Sequence, residues 1–435
     1  MKINTVTVIG ANGTMGKNVA AIFASFGNAK VNMICREREA AEVAAQKAKM
    51  SVKAEAIGVN LIPKTYADLE ECVRESDLIF ESVSENIDIK RDVYNRIANY
   101  IKPGTIIGTG TSGLSINDLS DCFNAETKPY YLGIHMYNPP YNMTLCEVIP
   151  SEFTDKQLLS EIKEYLHVVL HRRVVEVADE PAFMGNRIGF QFINDALQYA
   201  EKYKDNGGID YIDSILGSFT GRSMSPLVTS DFVGLDVHKA IVDNVYDNTN
   251  DYAHETFVMP GFSLKLISEN KMGRKSGQGL YQTVVGTDGK KTVNVYDIET
   301  SQYRPRERYV FPFSKHMITE FKVGNYAEGF AFLVQNHSQE AKICLEFLVN
   351  YVIYSVIITK AIGENIHSAD DVMATGFNWI PPLALIDAFG GADEFVKIAK
   401  SSLKPEYLAK IDIDAVLKDI PPSKYDYRPF LKARG

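Results

Sequence analysis

The sequence predicts an α/β domain at the N-terminus followed by two mostly helical domains. From Met1 to about Val177, short apolar runs alternate with segments of helical periodicity, which is typical of βαβ units in a parallel sheet. After Asp179, long helical stretches dominate and strand signals are few. The 435 residues, 45% hydrophobic and 23% charged, are enough for two or three globular domains with substantial cores.

The predicted strands of the first domain are short and apolar. They are Thr5–Ile9, Lys30–Ile34, Leu78–Val83, Thr105–Thr109, Tyr131–His135, Leu145–Ile149 and Arg173–Val177. After the first strand, Met15, Val19, Ile22 and Phe26 recur at helical spacing. This spacing predicts an amphipathic helix that packs one face on the sheet.

A glycine-rich loop joins that first strand to the helix. Gly10, Gly13 and Gly16 follow Ile9 directly, with the spacing GxxGxxG instead of the usual GxGxxG. Glycines there allow a tight turn and let backbone N–H groups approach a pyrophosphate at the helix N-terminus. The loop therefore predicts a dinucleotide site, although a tight turn alone would also use glycine.

The end of the second predicted strand bears on which dinucleotide binds. An acidic side chain there normally binds the adenosine ribose hydroxyl of NAD, but this chain has Cys35, followed by Arg36 and Arg38. A guanidinium can bind a ribose 2′-phosphate with a fork of donors. NAD and NADP are both candidates, and the alternative is that the arginines are solvated surface charges.

A histidine and a glutamate form the candidate catalytic pair. His135 ends a predicted strand, and Glu147 lies twelve residues later in the next one. A carboxylate on a neighbouring strand can accept a hydrogen bond from one ring nitrogen and so orient the other as a general base. The spacing alone is equally compatible with a structural histidine.

Four segments are predicted along the chain: a nucleotide-binding domain over 1–180, a helical domain over 181–285, a polar linker over 286–325 and a second, degenerate helical domain over 326–435. The two helical domains share a spaced pattern. At an offset of 156 residues (Pro226 to Pro382), Ser225-Pro226-Leu227, Asp231 and Gly234 align with Pro381-Pro382-Leu383, Asp387 and Gly390. We interpret the pattern as a duplication, although so few identities can also arise by chance.

Composition excludes several classes of function. The net charge is −9 and no basic block occurs, so a nucleic-acid partner is not expected. The five cysteines lack CxxC spacing, which argues against a zinc site or a disulfide scaffold and favours a reducing cytoplasm. No targeting leader and no membrane-spanning apolar stretch are predicted, so no membrane partner is expected. No bound metal is expected either, because the cysteines lack the spacing of a zinc site.

With these motifs, nearly the whole chain resembles the 3-hydroxyacyl-CoA dehydrogenase family. The matching stretches are His135 to Pro140 with Glu147, Thr111-Ser112-Gly113-Leu114, Phe183 to Arg187, Glu85-Asn86 with Lys90, Ser225-Pro226 with Asp231, and Glu269 to Lys271 with Gly273 and Lys275. The resemblance implies a Rossmann domain followed by two all-α domains like the C-terminal domain of 6-phosphogluconate dehydrogenase. It departs at Gly110 and Gly113, where relatives often have Asn and Ser.

The resemblance also implies roles for single residues. His135 is the implied general base, Glu147 its orienting partner, and Ser112 and Asn186 the substrate-contacting residues. The implied cofactor-binding residues are Gly10, Gly13, Gly16, Cys35, Arg36, Glu85, Lys90, Asn138 and Lys275. At the helix of the second helical domain that we align with Asn186, the chain has Val334-Gln335-Asn336-His337, so no further catalytic residue is expected there.

The implied reaction is reversible hydride transfer between an (S)-3-hydroxyacyl-CoA and NAD, or alternatively NADP. Two alternatives stay open: a dehydrogenase of a free hydroxy acid of the sugar-acid or carnitine type, and a non-catalytic nucleotide-binding protein. Family members with one helical domain dimerise through it. We therefore expect the second helical domain to replace a partner subunit, giving a monomer with an internal pseudo-dimer.

Overall fold

The computed structural model describes residues 1–52, 55–286 and 289–431. The chain divides into two compact units. Unit 1 comprises Met1–Phe183 and Ile362–Glu364, and unit 2 comprises Met184–Ala361 and Asn365–Gly435.

Unit 1 is a sheet with helices between its strands. The strands are β1 (Thr5–Ile9), β2 (Lys30–Cys35), β3 (Leu61–Thr65), β4 (Leu78–Glu81), β5 (Ile106–Thr109), β6 (Tyr131–Met136), β7 (Leu145–Pro150) and β8 (Arg173–Glu176). The helices are α1 (Thr14–Ser25), α2 (Arg38–Val52), α3 (Leu69–Glu75), α4 (Ile87–Ile97), α5 (Ile116–Ser120) and α6 (Lys156–Glu164). All seven predicted strands are present with ends within two residues of the prediction, and β3 was missed.

The strands form one sheet in the order β3-β2-β1-β4-β5-β6-β7-β8. The strand order reverses direction beside β1, and such a switch point is where open α/β sheets bind nucleotides. The sheet is parallel as predicted except at one junction, where β7 runs antiparallel to β6. That reversal arises from the short connection after β6, which is too short for a helical crossover.

Helix α1 confirms the predicted amphipathic face. Val19, Ile22 and Phe23 are fully buried, and the Phe23 ring lies 6.3 Å from the ring of Phe80 on β4. The helix therefore fixes the glycine loop against the sheet through its apolar face.

Unit 2 is mostly helical. Its helices are α7 (Gly185–Lys202), α8 (Ile209–Ile215), α9 (Pro226–Val233), α10 (Leu235–Asn248), α11 (Gly261–Ser268), α12 (Pro312–Lys322), α13 (Tyr326–Gln335), α14 (Gln339–Ile362), α15 (Ser368–Val372), α16 (Pro382–Ala388), α17 (Ala392–Ser402), α18 (Pro405–Leu408) and α19 (Ile413–Leu417). Its strands are β9 (Tyr281–Val285), β10 (Lys291–Asp297) and β11 (Gln302–Pro305).

The segment 286–325, predicted as a linker, is folded where the structure describes it. Strands β10 and β11 form an antiparallel sheet with β9, and α12 follows. The polar composition misled the prediction because part of its charge is paired inside the unit. The Arg304 guanidinium donates to both carboxylate oxygens of the buried Asp210, at 2.8 and 2.7 Å.

One aligned pair of the two helical domains, Leu227 and Leu383, makes the same kind of hydrogen bond in unit 2. After the predicted duplication, we name residues 185–281 the first copy and residues 339–425 the second copy. Asp213 accepts a hydrogen bond from the Leu227 amide at 2.8 Å, and Asp370 accepts one from the Leu383 amide at 2.8 Å. In each copy the capped helix is therefore held by a buried aspartate on the preceding helix.

The helix of the second copy that corresponds to α7 was predicted wrongly. Residues 334–337 lie at the end of α13 and in the turn after it, whereas α14 immediately precedes the aspartate-bearing α15 as α7 precedes α8. An apolar helix in both copies allowed either alignment in the sequence. At the offset of 156 residues that relates Leu227 to Leu383, Lys342 of α14 aligns with Asn186, and at the offset of 157 residues that relates Asp213 to Asp370, Ile343 does.

The two copies pack together through aromatic rings. Phe192 of α7 meets Phe347 of α14 with ring centroids 5.2 Å apart. The buried guanidinium of Arg222 lies 3.9 Å from the Phe192 ring centroid and 4.6 Å from that of Trp379. The two copies thus share one apolar core inside unit 2.

Helix α14 also corrects the expectation that no apolar stretch is long enough to cross a membrane. It is 24 residues long and has a window of mean hydropathy 1.7, of which 83% is buried inside the structure. The core helix of a folded domain can have the same length and composition, and the extensive burial of α14 is typical of such a core helix.

Candidate active site

The antiparallel pairing of β6 with β7 places His135 directly opposite Glu147. The imidazole Nδ1 lies 2.7 Å from the Glu147 Oε2. His135 is 4% exposed and Glu147 is completely buried. Because a carboxylate only accepts hydrogen bonds, Nδ1 carries the proton of this bond, and in the neutral imidazole Nε2 keeps its lone pair. The pair therefore has the geometry of an oriented general base.

Tyr137 is a third member of this site that the sequence analysis missed. Its hydroxyl donates to the same Glu147 Oε2 at 2.8 Å, and its ring lies 4.6 Å from the imidazole ring. The Phe183 ring lies 5.6 Å from the imidazole on another side. The signal was available, since residues two apart in extended chain share a face and Tyr137 follows His135 by two, one residue past the end of β6.

Ser112 belongs to a loop that is fixed by Glu85. The Glu85 carboxylate accepts a hydrogen bond from the Thr111 hydroxyl at 2.6 Å and from the Ser112 amide at 2.7 Å. Glu85 and Ser112 were predicted as site residues from separate motifs, and the structure brings them together just after the ends of β4 and β5. Glu85 therefore positions the backbone that presents Ser112.

Lys90 is held in a buried charge network. Its ammonium lies 2.9 Å from Glu81 and 3.4 Å from Glu85, and Lys90 itself is 1% exposed. The second carboxylate oxygen of Glu81 also accepts from the Tyr94 and Thr109 hydroxyls, each at 2.8 Å. Sequence reasoning missed Glu81 because it ends an apolar strand. A buried acid requires a partner, and the lysine nine residues later was the available signal.

The glycine loop provides a backbone cradle of the kind a dinucleotide needs. Gly10 has φ +82°, and a Cβ there would lie 2.5 Å from the Ser82 carbonyl oxygen. A Cβ at Gly16 would lie 2.4 Å from the Gly10 oxygen, whereas one at Gly13 would be tight at 3.3 Å. Glycine is thus required at two of the three positions, and the backbone at the start of α1 fits a pyrophosphate.

The loop is also attached to the end of β2. The amides of Gly10 and Ala11 both donate to the Ile34 carbonyl at 3.1 Å. The next residue, Cys35, is 1% exposed, and burial raises the pKa of its thiol. Arg36 follows with an exposed side chain. A neutral thiol therefore stands where an acid binds the ribose of NAD.

Asn138 lies beside α1, where its side-chain oxygen accepts a hydrogen bond from Asn18 at 3.2 Å. The departure at Gly110 also has a local reason, because a Cβ there would lie 2.8 Å from the Phe80 ring. The large aromatic ring on β4 thus occupies the space that an asparagine at 110 would need.

The remaining two predicted site residues belong to unit 2. Asn186 is 7% exposed in the first turn of α7. Its neighbour Arg187 pairs with Asp251 at 2.9 Å. Lys275 forms an ion pair with Asp236. Among the residues that the structure describes, no cluster of three or more His, Cys, Asp or Glu side chains is suited to a metal ion.

Two family descriptions match consecutive segments of the chain. The description "3-hydroxyacyl-CoA dehydrogenase, NAD binding domain" matches residues 5–180, and "3-hydroxyacyl-CoA dehydrogenase, C-terminal domain" matches residues 183–283.

Individual proteins agree with these matches. A "Probable 3-hydroxyacyl-CoA dehydrogenase" of Caenorhabditis elegans is 31% identical over 305 residues, which cover 65% of this chain and 93% of that protein. One of Bacillus subtilis (strain 168) is 29% identical over 336 residues, covering 76% of this chain but 41% of the relative, so this chain spans less than half of that protein's length.

Among solved structures, the crystal structure of 3-hydroxybutyryl-CoA dehydrogenase from Escherichia coli K12 has the same fold. The TM-score is 0.67 at 20% identity, and the match covers 94% of this chain and 96% of that chain. The similarity therefore extends over both units and includes the second copy.

Proposed function

Since the chain belongs to the 3-hydroxyacyl-CoA dehydrogenase family, we propose that this oxidoreductase interconverts an (S)-3-hydroxyacyl-CoA and the 3-oxoacyl-CoA with a nicotinamide cofactor. The observation that carries the proposal is the buried pair of His135 and Glu147, 2.7 Å apart on adjacent strands.

The proton transfer follows from the direction of that hydrogen bond. With Nδ1 donating to Glu147, the His135 Nε2 takes the proton of the substrate 3-hydroxyl. The resulting imidazolium is stabilised by the adjacent carboxylate, and in the reverse direction it returns the proton. Such a positioned base contributes about 10²–10⁴-fold to the rate.

The nicotinamide cofactor, when bound, supplies the acceptor or donor of the hydride at the substrate C3. The backbone of the loop from Gly10 to Gly16 would hold its pyrophosphate, because the loop fits such a group without side chains in the way. Lys90 and Glu85, predicted to bind the cofactor, would support that role through the charge network behind the loop that carries Ser112.

Substrate orientation is the role that we propose for Ser112 and Asn186. Hydroxyl and amide groups can hydrogen-bond the reacting oxygen or the thioester carbonyl and so hold C3 in a reactive position. The hydrogen bond from the Ser112 amide to Glu85 fixes the backbone that carries the serine side chain.

The substrate class is tested by initial rates of reduction of acetoacetyl-CoA and of free acetoacetate, each with NADH and with NADPH. We expect kcat/KM to be at least about 100-fold higher for the CoA ester, because remote binding energy of the CoA moiety is used in the transition state. His135→Ala is expected to lose that activity, whereas His167→Ala, with an exposed ring, serves as the matched control.

Two outcomes would overturn this proposal. Equal turnover of the free acid would favour a free hydroxy acid as substrate. Nucleotide binding without turnover of either compound would favour a non-catalytic nucleotide-binding protein.

We also propose that the protein is a monomer in the cytoplasm. The second copy packs against α7 through Phe347 and Trp379, and so supplies within one chain a surface on which α7 is buried. The five cysteines are unpaired in the structure, which suits a reducing compartment. Sedimentation equilibrium is expected to give the mass of one chain, and a tight dimer would contradict the monomer.

A further inference from the structure

Arg36 has a feature that its neighbouring arginine lacks. Arg38 is engaged, because its guanidinium donates to the Glu42 carboxylate at 3.4 Å and to the Pro63 carbonyl at 3.1 Å. Across residues 1–52, 55–286 and 289–431, Arg36 forms neither an ion pair nor a hydrogen bond through its side chain, and it is exposed. One of the two charges at this end of β2 is thus left for a ligand.

The position of Arg36 in the fold is fixed by the residues around it. Ile34 pairs with Ile9 across β1 and β2, and its carbonyl accepts the amides of Gly10 and Ala11. Arg36 therefore stands two residues beyond the carbonyl that anchors the glycine loop. In dinucleotide-binding folds this is where the adenosine ribose lies, and where an arginine accommodates a 2′-phosphate.

Residue 35 removes the usual obstacle to a 2′-phosphate. The carboxylate that binds the ribose 2′-hydroxyl of NAD would repel a phosphate, and here the residue is Cys35, whose thiol is buried and neutral. The thiol offers neither the acceptor strength that NAD uses nor a charge that opposes NADP.

Further positive charge surrounds the same edge. Arg96 places its guanidinium 4.9 Å from the ring centroid of Tyr66, which directly follows β3. Burial raises the pKa of the Tyr66 hydroxyl, and the charges of Arg96 and Arg36 oppose that rise. Lys17 of α1 places a further ammonium beside the glycine loop, because its Nζ donates to the Gly13 carbonyl at 3.3 Å. Like charges brought together favour an anionic ligand.

We propose that Arg36 binds the adenosine 2′-phosphate and makes the protein selective for NADP(H) over NAD(H). This rests on the proposed function, because both need a nicotinamide nucleotide in the glycine loop. The selectivity comes from a guanidinium–phosphate pair at a site where residue 35 has no charge, and the pair adds affinity only when the nucleotide carries the phosphate.

The test is calorimetric titration of the whole chain with NADP⁺, NAD⁺, 2′,5′-ADP and 5′-AMP, which requires no turnover. We expect the nucleotides with a 2′-phosphate to bind at least about tenfold more tightly, with the preference declining as salt is raised. Arg36→Ala is expected to abolish the preference while changing the Kd for NAD⁺ less than about twofold, since NAD⁺ lacks the phosphate.

Arg38→Ala is the matched control, since its guanidinium is already paired, and it is expected to keep the preference. Cys35→Asp, with the fold checked by circular dichroism, is expected to reverse it. Tighter binding of NAD⁺ by the wild type, or an unchanged preference in Arg36→Ala, overturns the inference. Tight binding of NADP⁺ without turnover of acetoacetyl-CoA would support the role of Arg36 and contradict the proposed reaction.

Discussion

Both copies of unit 2 have aspartates that accept hydrogen bonds from a leucine amide and a tyrosine hydroxyl, Asp213 alone in the first copy and Asp370 with Asp371 in the second. The copies differ at the position of Asn186. Asp213 accepts from the Tyr281 hydroxyl at 2.6 Å in the first copy, and Asp371 accepts from the Tyr425 hydroxyl at 2.5 Å in the second. A tyrosine near the end of each copy is thus hydrogen-bonded to an aspartate on α8 in the first copy and on α15 in the second.

The side-chain amide of Asn186, at the start of α7, has no counterpart in the second copy. Asn186 is buried in the first copy, whereas the residues of α14 that align with it, Lys342 and Ile343, carry no amide side chain. Both copies have the aspartates that hold their helices together. Only the first copy has the asparagine to which the family resemblance assigns a contact with substrate. On the proposed function, only the first copy therefore contributes a residue to the reaction.

The largest expected effect separates the copies by activity. Asn186→Ala is expected to lower kcat/KM for acetoacetyl-CoA by about 10²–10³-fold, because removing one positioned hydrogen-bond donor from an active site typically costs this much in rate. Lys342→Ala is the matched variant, and its kinetics are expected to equal those of the wild type. Comparable losses in both variants would remove the distinction between the copies.

The next effect tests the part that the copies share. Asp213→Ala leaves the Leu227 amide and the Tyr281 hydroxyl without their acceptor, and Asp370→Ala does the same to the Leu383 amide. Each substitution is expected to cost about 2–3 kcal/mol of unfolding free energy, measured by urea denaturation. Asp247→Ala, at an exposed position, is the control. A silent Asp370→Ala would show that the second copy is not held as the first is.

A pH dependence sharpens the comparison. Burial raises the pKa of Asp370 from 3.8 to about 7, while hydrogen bonds from Ser423 and Leu383 oppose the rise. Between these values the folded state keeps a proton that the unfolded state has lost, so this residue lowers stability as the pH rises from about 4 to 7. Above pH 7 both states are ionised and the loss is complete.

Asp370→Asn is therefore expected to flatten the stability profile. The wild type should lose on the order of 1–2 kcal/mol relative to this variant between pH 5 and pH 7, as measured by urea denaturation at each pH. Asp371 and Lys424 lie beside Asp370 and act in both proteins, so the difference isolates residue 370. Parallel profiles for the two proteins would contradict this assignment.

The smallest expected effect concerns the two tyrosine hydroxyls. Tyr281→Phe and Tyr425→Phe each remove one hydrogen bond to an aspartate and leave the ring in place. Each is expected to cost about 1–2 kcal/mol of unfolding free energy. Thermal denaturation of the two variants beside Tyr130→Phe, whose ring is partly exposed, would show this, and a difference of several kcal/mol between them would mean that the copies are not equivalent.

The sequence was most informative where apolar patterns dominate. The buried strands of the sheet were located from such runs, but β3 was missed because it contains Pro63 and Lys64, which edge strands tolerate. The polar strands β10 and β11 were read as a linker for the same reason. Their order depends on long-range pairs such as Arg304 with Asp210, which local composition cannot reveal.

The site was predictable in its residue types and less so in its support. His135 and Glu147 were identified from their spacing and the family motif, while their antiparallel register, and with it the contact of Tyr137, depends on how β7 enters the sheet. Glu81 was overlooked because an acid inside an apolar strand carries no pattern of its own. Its partner Lys90 becomes meaningful only when α4 is packed on the sheet.

The central claim is that the Glu147 carboxylate, bonded to Nδ1, makes His135 the base. Glu147→Gln keeps the size and an acceptor oxygen but cannot stabilise the imidazolium, so kcat for acetoacetyl-CoA reduction should fall at least about 100-fold with KM little changed. Tyr137→Phe, which leaves the carboxylate in place, is the control and should retain most activity. A Glu147→Gln enzyme with kcat within about threefold of the wild type would contradict the account, because a true base of this kind contributes far more.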